Sequence, residues 1–586
     1  MTTGAAEKFN CKGREETMVV DVSILVGGEA GQGIQTVGDL LSRACLKSGL
    51  HLMAINDFES RIRGGHSFFQ IRISDQPVGS PDYPVHLIVA LNQETVDLHE
   101  HELAEGGLIV LDGEETDQDS RVRAIPITRM AEEAGGRIMA NTAAAGVCLA
   151  LCGAPFEPLR EVLGERFSRA DAKVLENNLQ AAEAGFRAAN DMAFSWSFQW
   201  PMDGEKGVLR AGARALALGA LAADCRLAAF YPMSPSTGIM ANLAEFSDSA
   251  PLVVEQAEDE IAAVNMVIGA SFAGVRALTA TSGGGFCLMT EGLGLAGITE
   301  TPLVIINAQR PGPATGLPTR TAQADLLFVI RAAQDEFPRF VFAPASADDA
   351  FGMVIRAFDL AWKYQVPAII LVDQFFTDSI TVSAGAFEAP ETIRRYVIGD
   401  ADMADPEAYK RYAYTKSGVS PRSLPCMGKA LVGVSGNEHR EDGHISEKAA
   451  DRTAMMEKRF AKTPYMLEEM RPPEGCHAGS GNLLVGWGSS FGAIREAADF
   501  LREEGHDVGC LHFSDLWPFP CEAARSAIEN KEVFTVEQNA TGQFRDLLRG
   551  QTGIQAAGSI LKYDGRPLFA REIAAQWKKL MGYSHG

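Results

Sequence analysis

Four segments between Tyr231 and Arg320 carry residue types that could each hold part of a ligand. In YPMSPST, Pro232 and Pro235 fix their own φ angles and bias the residue before each toward extended backbone, so Ser234, Ser236 and Thr237 are displayed on a stiff loop. Rigid hydroxyls suit a carboxylate, although Ser236 or Thr237 is equally placed to cap a helix beginning at GIMANLAEF. The run EQAEDEIAAVNMVIGA offers Glu255, Glu258, Asp259 and Glu260 ahead of a helical apolar pattern. A helix dipole favours carboxylates in that position without any function. One of them, if buried against a cofactor, would have its pKa raised and could share a proton with a ring nitrogen. The sequence does not choose among the four.

In TATSGGGF, Gly283, Gly284 and Gly285 follow a strand and precede a helix, a turn that lets backbone N–H groups approach a ligand. Arg310 ends the strand PLVIINAQ, and ligands of open parallel sheets bind outside the carboxyl ends of strands. An arginine there could clamp a carboxylate through two parallel hydrogen bonds, or form a surface salt bridge. Nothing in the stretch could hold a metal ion, a diphosphate or an electron carrier, so that chemistry must come from a partner.

The elements that position these residues recur as strand, turn and helix. The 586 residues exceed one core and suggest three or four domains. A first domain over 18–195 opens with MVVDVSILV and the turn GGEAGQG. Ile34, Val37, Leu40, Leu41, Ala44 and Cys45 follow at helical spacing. Gly31 and Gly33 make a phosphate-type loop whose spacing does not match the full dinucleotide fingerprint. A second domain over 205–385 repeats βα units through RALTAT, PLVIINAQ, RFVFAP and PAIILV, with Ser346 and Asp349 predicting a capping box. A connection over 386–480 is charged and partly helical, and so long a connection is rarely idle. A last domain over 481–586 alternates again. The fold class is α/β, with several parallel-sheet domains.

Composition narrows the function classes. The net charge of −23 disfavours nucleic acid or an anionic membrane surface as partner. No apolar run has the length to cross a bilayer, and the polar start MTTGAAEKFNCKGREETM has no apolar h-region, so a cytoplasmic location is expected. None of the 10 cysteines forms a CxxC pair, and Cys148 and Cys152 sit in the apolar run AAAGVCLALCGA as core thiols.

In this order the segments resemble the alpha subunit of the 2-oxoacid:ferredoxin oxidoreductases with the gamma domain fused in front. The likeness is carried by GGEAGQGI, SRIRGGHSFFQIRISD, YPMSPST, EDEIAAVNMVIGASFAG, TATSGGGF, QRPGPATGLPTRTAQADL, PAIILVDQFFTDS, GNEHREDGH, WGSSFGAIREA and VEQNATGQF, and it covers nearly the whole chain. It implies a thiamine-diphosphate pyrimidine-binding-type second domain and a transketolase C-terminal-like last domain. It also implies an enzyme that decarboxylates a 2-oxoacid on thiamine diphosphate with Mg²⁺, reduces ferredoxin through iron–sulfur clusters and acylates coenzyme A.

By motif position, the resemblance makes Glu260 the carboxylate on the pyrimidine ring nitrogen. Ser234, Thr237 and Arg310 become substrate contacts, and Gly283 and Gly284 cofactor contacts. Two positions depart from the family: Ser234 replaces Thr, and Gly284 replaces Pro. The gamma domain is associated in the family with coenzyme A. That makes Gly31, Gly33, Arg61, Arg63 and His66 candidate contacts, with a packing role as the alternative.

There is no GDG…NN run and no cysteine array. The resemblance therefore implies a beta subunit carrying the diphosphate, Mg²⁺ and a [4Fe-4S] cluster. It also implies ferredoxin, in some members a ferredoxin-like subunit, and a dimer of heterodimers. The fused arrangement and GNEHREDGH resemble the 2-oxoglutarate subgroup. Two alternatives stand beside this: a transketolase-like or lipoamide-type thiamine enzyme, and a docking subunit without catalysis.

Overall fold

The computed structural model describes residues 20–59, 64–114, 121–192, 194, 200–201, 204 and 207–583. Arg61 and Arg63 fall outside them. Three sheets carry the chain. The second sheet holds the four segments. Its strands run in the order Asp515–Trp517, Phe340–Phe342, Pro367–Asp373, Leu303–Gln309, Ala277–Thr281, Leu227–Phe230 and Val253–Gln256. Every neighbouring pair is parallel except the first, where Asp515–Trp517 arrives antiparallel from the last domain. These strands are near-continuous apolar runs because helices cover both faces. Ile305, Ile306, Ile369 and Ile370 are wholly buried.

The last sheet, Val508–Phe513, Asn482–Trp487, Glu532–Glu537 and Gly558–Leu561, is parallel throughout. The first sheet departs from the parallel expectation. Val122–Ile125, Leu103–Asp112, Val85–Ala90 and Asp21–Glu29 are parallel. Beyond them His66–Ser74, His51–Phe58, Ile380–Ser383 and Val208–Ala211 are antiparallel. The stretch between Phe58 and His66 is too short for the crossover a parallel pair needs. The sheet thus reaches past residue 195, taking two strands that flank the second domain.

Local signals explain the helix starts. Asp259 caps the helix Glu260–Phe272, accepting from Ala262 N at 2.7 Å. Ser346 Oγ accepts from Asp349 N at 3.2 Å, while the Asp349 carboxylate accepts from Ala345 N at 3.0 Å and not from Ser346, a shifted form of the expected box. Cys148 and Cys152 are buried core thiols, and burial pushes Cys152 up to about 12.

The connection 386–480 carries the helices Ala449–Phe460 and Thr463–Glu468 and packs on the second domain. Lys458 Nζ lies 2.7 and 2.9 Å from the two carboxylate oxygens of buried Glu300, and Lys462 Nζ lies 2.6 Å from one of them. First and last domains meet where Glu496 accepts from Arg72 Nη1 at 2.5 Å and from Ser80 N at 3.2 Å. Among the described residues no helix is long and apolar enough to cross a membrane.

Candidate active site

Parallel pairing makes the four segments converge. The loops after Phe230, Gln256, Thr281 and Gln309 all leave the carboxyl edge of four adjacent strands, the place where open α/β sheets hold ligands.

Burial separates the four acids. Glu255 and Glu258 are exposed, Asp259 is spent on the helix cap, and Glu260 is 2% exposed. Its Oε1 has no hydrogen-bond partner, and neither do the buried Thr281 Oγ1 and Ser282 Oγ, which immediately precede the glycine triplet. Burial pushes the Glu260 carboxyl above its usual value; hydrogen bonding to its own backbone opposes the shift and the Asp259 charge adds to it. An unpaired carboxyl oxygen is costly to bury, and a ligand nitrogen that shares a proton with it removes the cost.

The glycine turn has three distinct surroundings. A Cβ on Gly285 would stand 2.0 Å from Thr281 Oγ1 and 2.4 Å from Glu260 Oε1. One on Gly283 would stand 2.3 Å from Asp325 Oδ2. One on Gly284 would meet nothing nearer than Ala314 O at 3.8 Å, in the arginine loop, so the turn tolerates a different residue there. The turn opens the helix Gly283–Ile298 with no side-chain cap, which leaves N–H groups at a positively polarised end.

Arg310 is tied to the serine loop. Its Nη1 donates to Ser234 O at 2.7 Å, fixing the serine loop to the end of the strand Leu303–Gln309 across the intervening strand Ala277–Thr281, and burial lowers its pKa. Ser236 Oγ donates to Met233 O at 2.7 Å and makes no cap bond, so the loop's hydroxyls do not serve the helix Thr237–Ser247. Ser234 and Thr237 line a cavity of about 400 Å³ shared with Gln35 and Asn56 of the first domain and with Gln374 and Asp378. Burial pushes Asp378 up to about 6. Two other cavities, each about 510 Å³, lie at domain junctions and include none of Ser234, Thr237, Glu260 or Arg310.

Gly31 and Gly33 take left-handed backbone, φ +96° and +77°, and Gly33 precedes the helix Ile34–Lys47, whose Gln35 reaches that cavity. His66 sits apart from solvent. It is 6% exposed, its Nε2 lies 2.8 Å from His99 Nε2, and burial followed by His99 brings it down to about 4. Its Nδ1 is buried without a hydrogen-bond partner.

Nothing in the sequence marks Thr281, Asp325 or Asp378, and Gly285 is visible in it only as the third member of a triplet. Asp325, which accepts from Asn307 Nδ2 at 3.2 Å and is pushed by burial to about 6, carries no local signal of its position. Among the described residues no group of three or more His, Cys, Asp or Glu side chains is placed to hold a metal ion.

Family models match over three stretches: pyruvate ferredoxin/flavodoxin oxidoreductase at 23–188, the thiamine diphosphate-binding part of pyruvate flavodoxin/ferredoxin oxidoreductase at 218–458, and core domain II of pyruvate:ferredoxin oxidoreductase at 481–566. A 2-oxoacid:ferredoxin oxidoreductase subunit alpha from Sulfolobus is 32% identical, over 94% of this chain and 96% of its own length. The chain belongs to the 2-oxoacid:ferredoxin oxidoreductase alpha-subunit family.

Within that family, the 2-oxoglutarate oxidoreductase subunit KorA of Mycobacterium tuberculosis is 28% identical over 94% of this chain and 90% of its own. A solved 2-oxoglutarate:ferredoxin oxidoreductase from Magnetococcus marinus, with 2-oxoglutarate, coenzyme A and succinyl-CoA bound, superposes with a TM-score of 0.88. It is 30% identical and covers 96% of this chain and 99% of its own. For an alpha subunit of this family, the unpaired, buried Glu260 oxygen has the chemistry to share a proton with the pyrimidine ring of thiamine diphosphate.

Proposed function

We propose that the chain is the alpha subunit of a thiamine-diphosphate-dependent oxidoreductase that decarboxylates 2-oxoglutarate, reduces ferredoxin and forms succinyl-CoA. The observation that carries this is the buried, unpartnered Glu260 oxygen at the carboxyl edge where four loops meet. Thiamine diphosphate, when bound, supplies the electron sink for loss of carbon dioxide.

This chain's residues do the rest on their side. Glu260 holds a proton in common with the pyrimidine ring, which its raised pKa favours. Gly283 and Gly284 let the ligand approach the open start of their helix. Arg310 and the Ser234 hydroxyl hold the substrate carboxylate, with Thr237 beside them, and Arg310 keeps the serine loop in place through Ser234 O. The Gly31 and Gly33 loop contacts coenzyme A, since its helix reaches the cavity that Ser234 and Thr237 line.

The diphosphate, Mg²⁺ and [4Fe-4S] cluster belong to a beta subunit, with ferredoxin as the electron acceptor, in a cytoplasmic dimer of heterodimers. The test is to co-purify the chain with its partner and offer 2-oxoglutarate, pyruvate and branched-chain 2-oxoacids with coenzyme A and methyl viologen. Dye reduction strongest with 2-oxoglutarate is expected. Reduction by none of them defeats the proposal, and preference for another 2-oxoacid defeats the substrate assignment.

A further inference from the structure

The end of the connecting segment runs antiparallel to the strand Val508–Phe513. Glu474 N donates to His512 O at 3.0 Å and His512 N donates to Glu474 O at 2.7 Å. That register sets Cys476 directly opposite Cys510. Cys510 N donates to Cys476 O at 2.8 Å, and Cys476 N donates to Cys510 Sγ at 3.3 Å. The backbones are held close by glycine on each side: a Cβ on Gly475 would stand 1.8 Å from Cys510 O, and one on Gly509 2.1 Å from His477 O. Residues opposed in a hydrogen-bonded antiparallel pair have Cα atoms about 5.5 Å apart. A disulfide spans Cα separations of roughly 4.4 to 6.8 Å.

The two thiols differ in access. Cys510 is buried and Cys476 is partly exposed. Hydrogen bonding from the Cys510 thiol lowers the Cys476 thiol, burial opposes the shift, the Arg495 guanidinium reinforces it and Asp499 opposes it; Cys510 is raised in turn. His477 faces Asp499 at 4.0 Å. Other neighbouring thiols lack this combination, since Cys45, Cys148 and Cys152 are all fully buried.

We propose that Cys476 and Cys510 form a reversible thiol–disulfide site whose oxidant is a low-molecular-weight disulfide. The Cys476 thiolate attacks one sulfur of the small disulfide; that S–S bond breaks, and one small thiolate leaves and takes up a proton. Cys510 then gives up its proton and attacks the Cys476 sulfur of the mixed disulfide, closing the Cys476–Cys510 bond and releasing the second small thiol. Two protein thiols are oxidised and one small disulfide is reduced to two thiols, so electrons and protons balance. The bond ties the end of the connecting segment to the last sheet, beside the helix Phe491–Glu503 through which the first and last domains meet.

The test incubates the assembled complex anaerobically with oxidised glutathione, then maps peptides without reduction. The wild type is expected to yield a linked pair containing Cys476 and Cys510, two hydrogens lighter than its parts and cleaved by dithiothreitol. Cys510→Ser is expected to keep one glutathione on Cys476, and Cys476→Ser to give neither link nor adduct at these two positions. On unoxidised wild type, iodoacetamide is expected to alkylate Cys476 faster than exposed Cys287 and Cys426, and prior oxidation to protect it. Glutathione on Cys287 or Cys426 with no Cys476–Cys510 link overturns the proposal. So does alkylation of Cys476 slower than both exposed thiols.

Discussion

Gly285→Ala is the substitution that most sharply separates a functional constraint from a structural one. The added Cβ would lie 2.0 Å from Thr281 Oγ1 and 2.4 Å from Glu260 Oε1. Non-bonded carbon and oxygen keep roughly 3 Å or more apart, so Thr281 Oγ1 must retreat by about 1 Å and Glu260 Oε1 by about half as much. Both atoms end side chains, so the strain relaxes by side-chain movement and the stability cost falls at the low end of the roughly 1–3 kcal/mol typical of overpacking. Catalysis is less forgiving. A misplacement of about 1 Å at a reacting group costs on the order of 100-fold in rate. Gly352→Ala, at an exposed helical glycine with nothing within 4 Å, is the control. In the reconstituted complex, dye reduction with saturating 2-oxoglutarate and coenzyme A should fall about 100-fold for Gly285→Ala, while Gly352→Ala stays near wild type. Thermal unfolding of the two variants should differ little. Equal turnover in the two variants would refute the claim that Glu260 works from a tightly fixed position.

Arg310→Ala removes charge-assisted hydrogen bonds worth about 1.5–3 kcal/mol each, so the KM for 2-oxoglutarate should rise by about 10- to 100-fold; an unchanged KM counts against a substrate role. Glu300→Gln leaves the Lys458 and Lys462 ammonium groups buried without a counter-charge, and chemical denaturation should show a loss of about 3–5 kcal/mol; a loss near zero would mean the lysines are neutral or find other partners. Burial pushes the Glu438 carboxyl up, but Arg459 and Arg452 outweigh it and hold it at about 2. A carboxyl lowered on folding lends stability that is complete above its unfolded value and is lost as pH falls through its folded one. The wild-type denaturation midpoint should therefore fall more steeply than that of Glu438→Gln between pH 4.5 and about 2. Parallel curves would show that the ion pair does not couple to folding.

The parallel second and last sheets were legible because strands buried on both faces leave continuous apolar runs such as PLVIINAQ and PAIILV. The antiparallel half of the first sheet was not. ITVS and VLRA are too short to announce strands, and the pairing of ITVS with His51–Phe58 and of VLRA with ITVS depends on contacts far along the chain. Motif order brought out Glu260, Ser234 and Arg310, but only burial tells Glu260 from Glu255 and Glu258. Within the glycine triplet, the residue that faces Glu260 is Gly285, because a helix of 3.6 residues per turn points successive positions in different directions. His66, marked by its motif, lies against His99, a partner distant in sequence. The GNEHREDGH segment is held by its own contacts: His439 is wholly buried, packs tilted against Tyr412 with ring centroids 4.0 Å apart, and Glu438 pairs with Arg459 at 2.6 Å.

The central claim is that Glu260 is the carboxylate that works on the cofactor. The most direct test is turnover of the Glu260→Gln complex, which keeps the side chain's shape and removes its ability to take up and release a proton. With the partner subunit, thiamine diphosphate, Mg²⁺, 2-oxoglutarate and coenzyme A supplied, the variant should assemble and unfold at close to the wild-type temperature yet reduce methyl viologen at background rate. Substantial 2-oxoglutarate-dependent reduction by the assembled variant would contradict it.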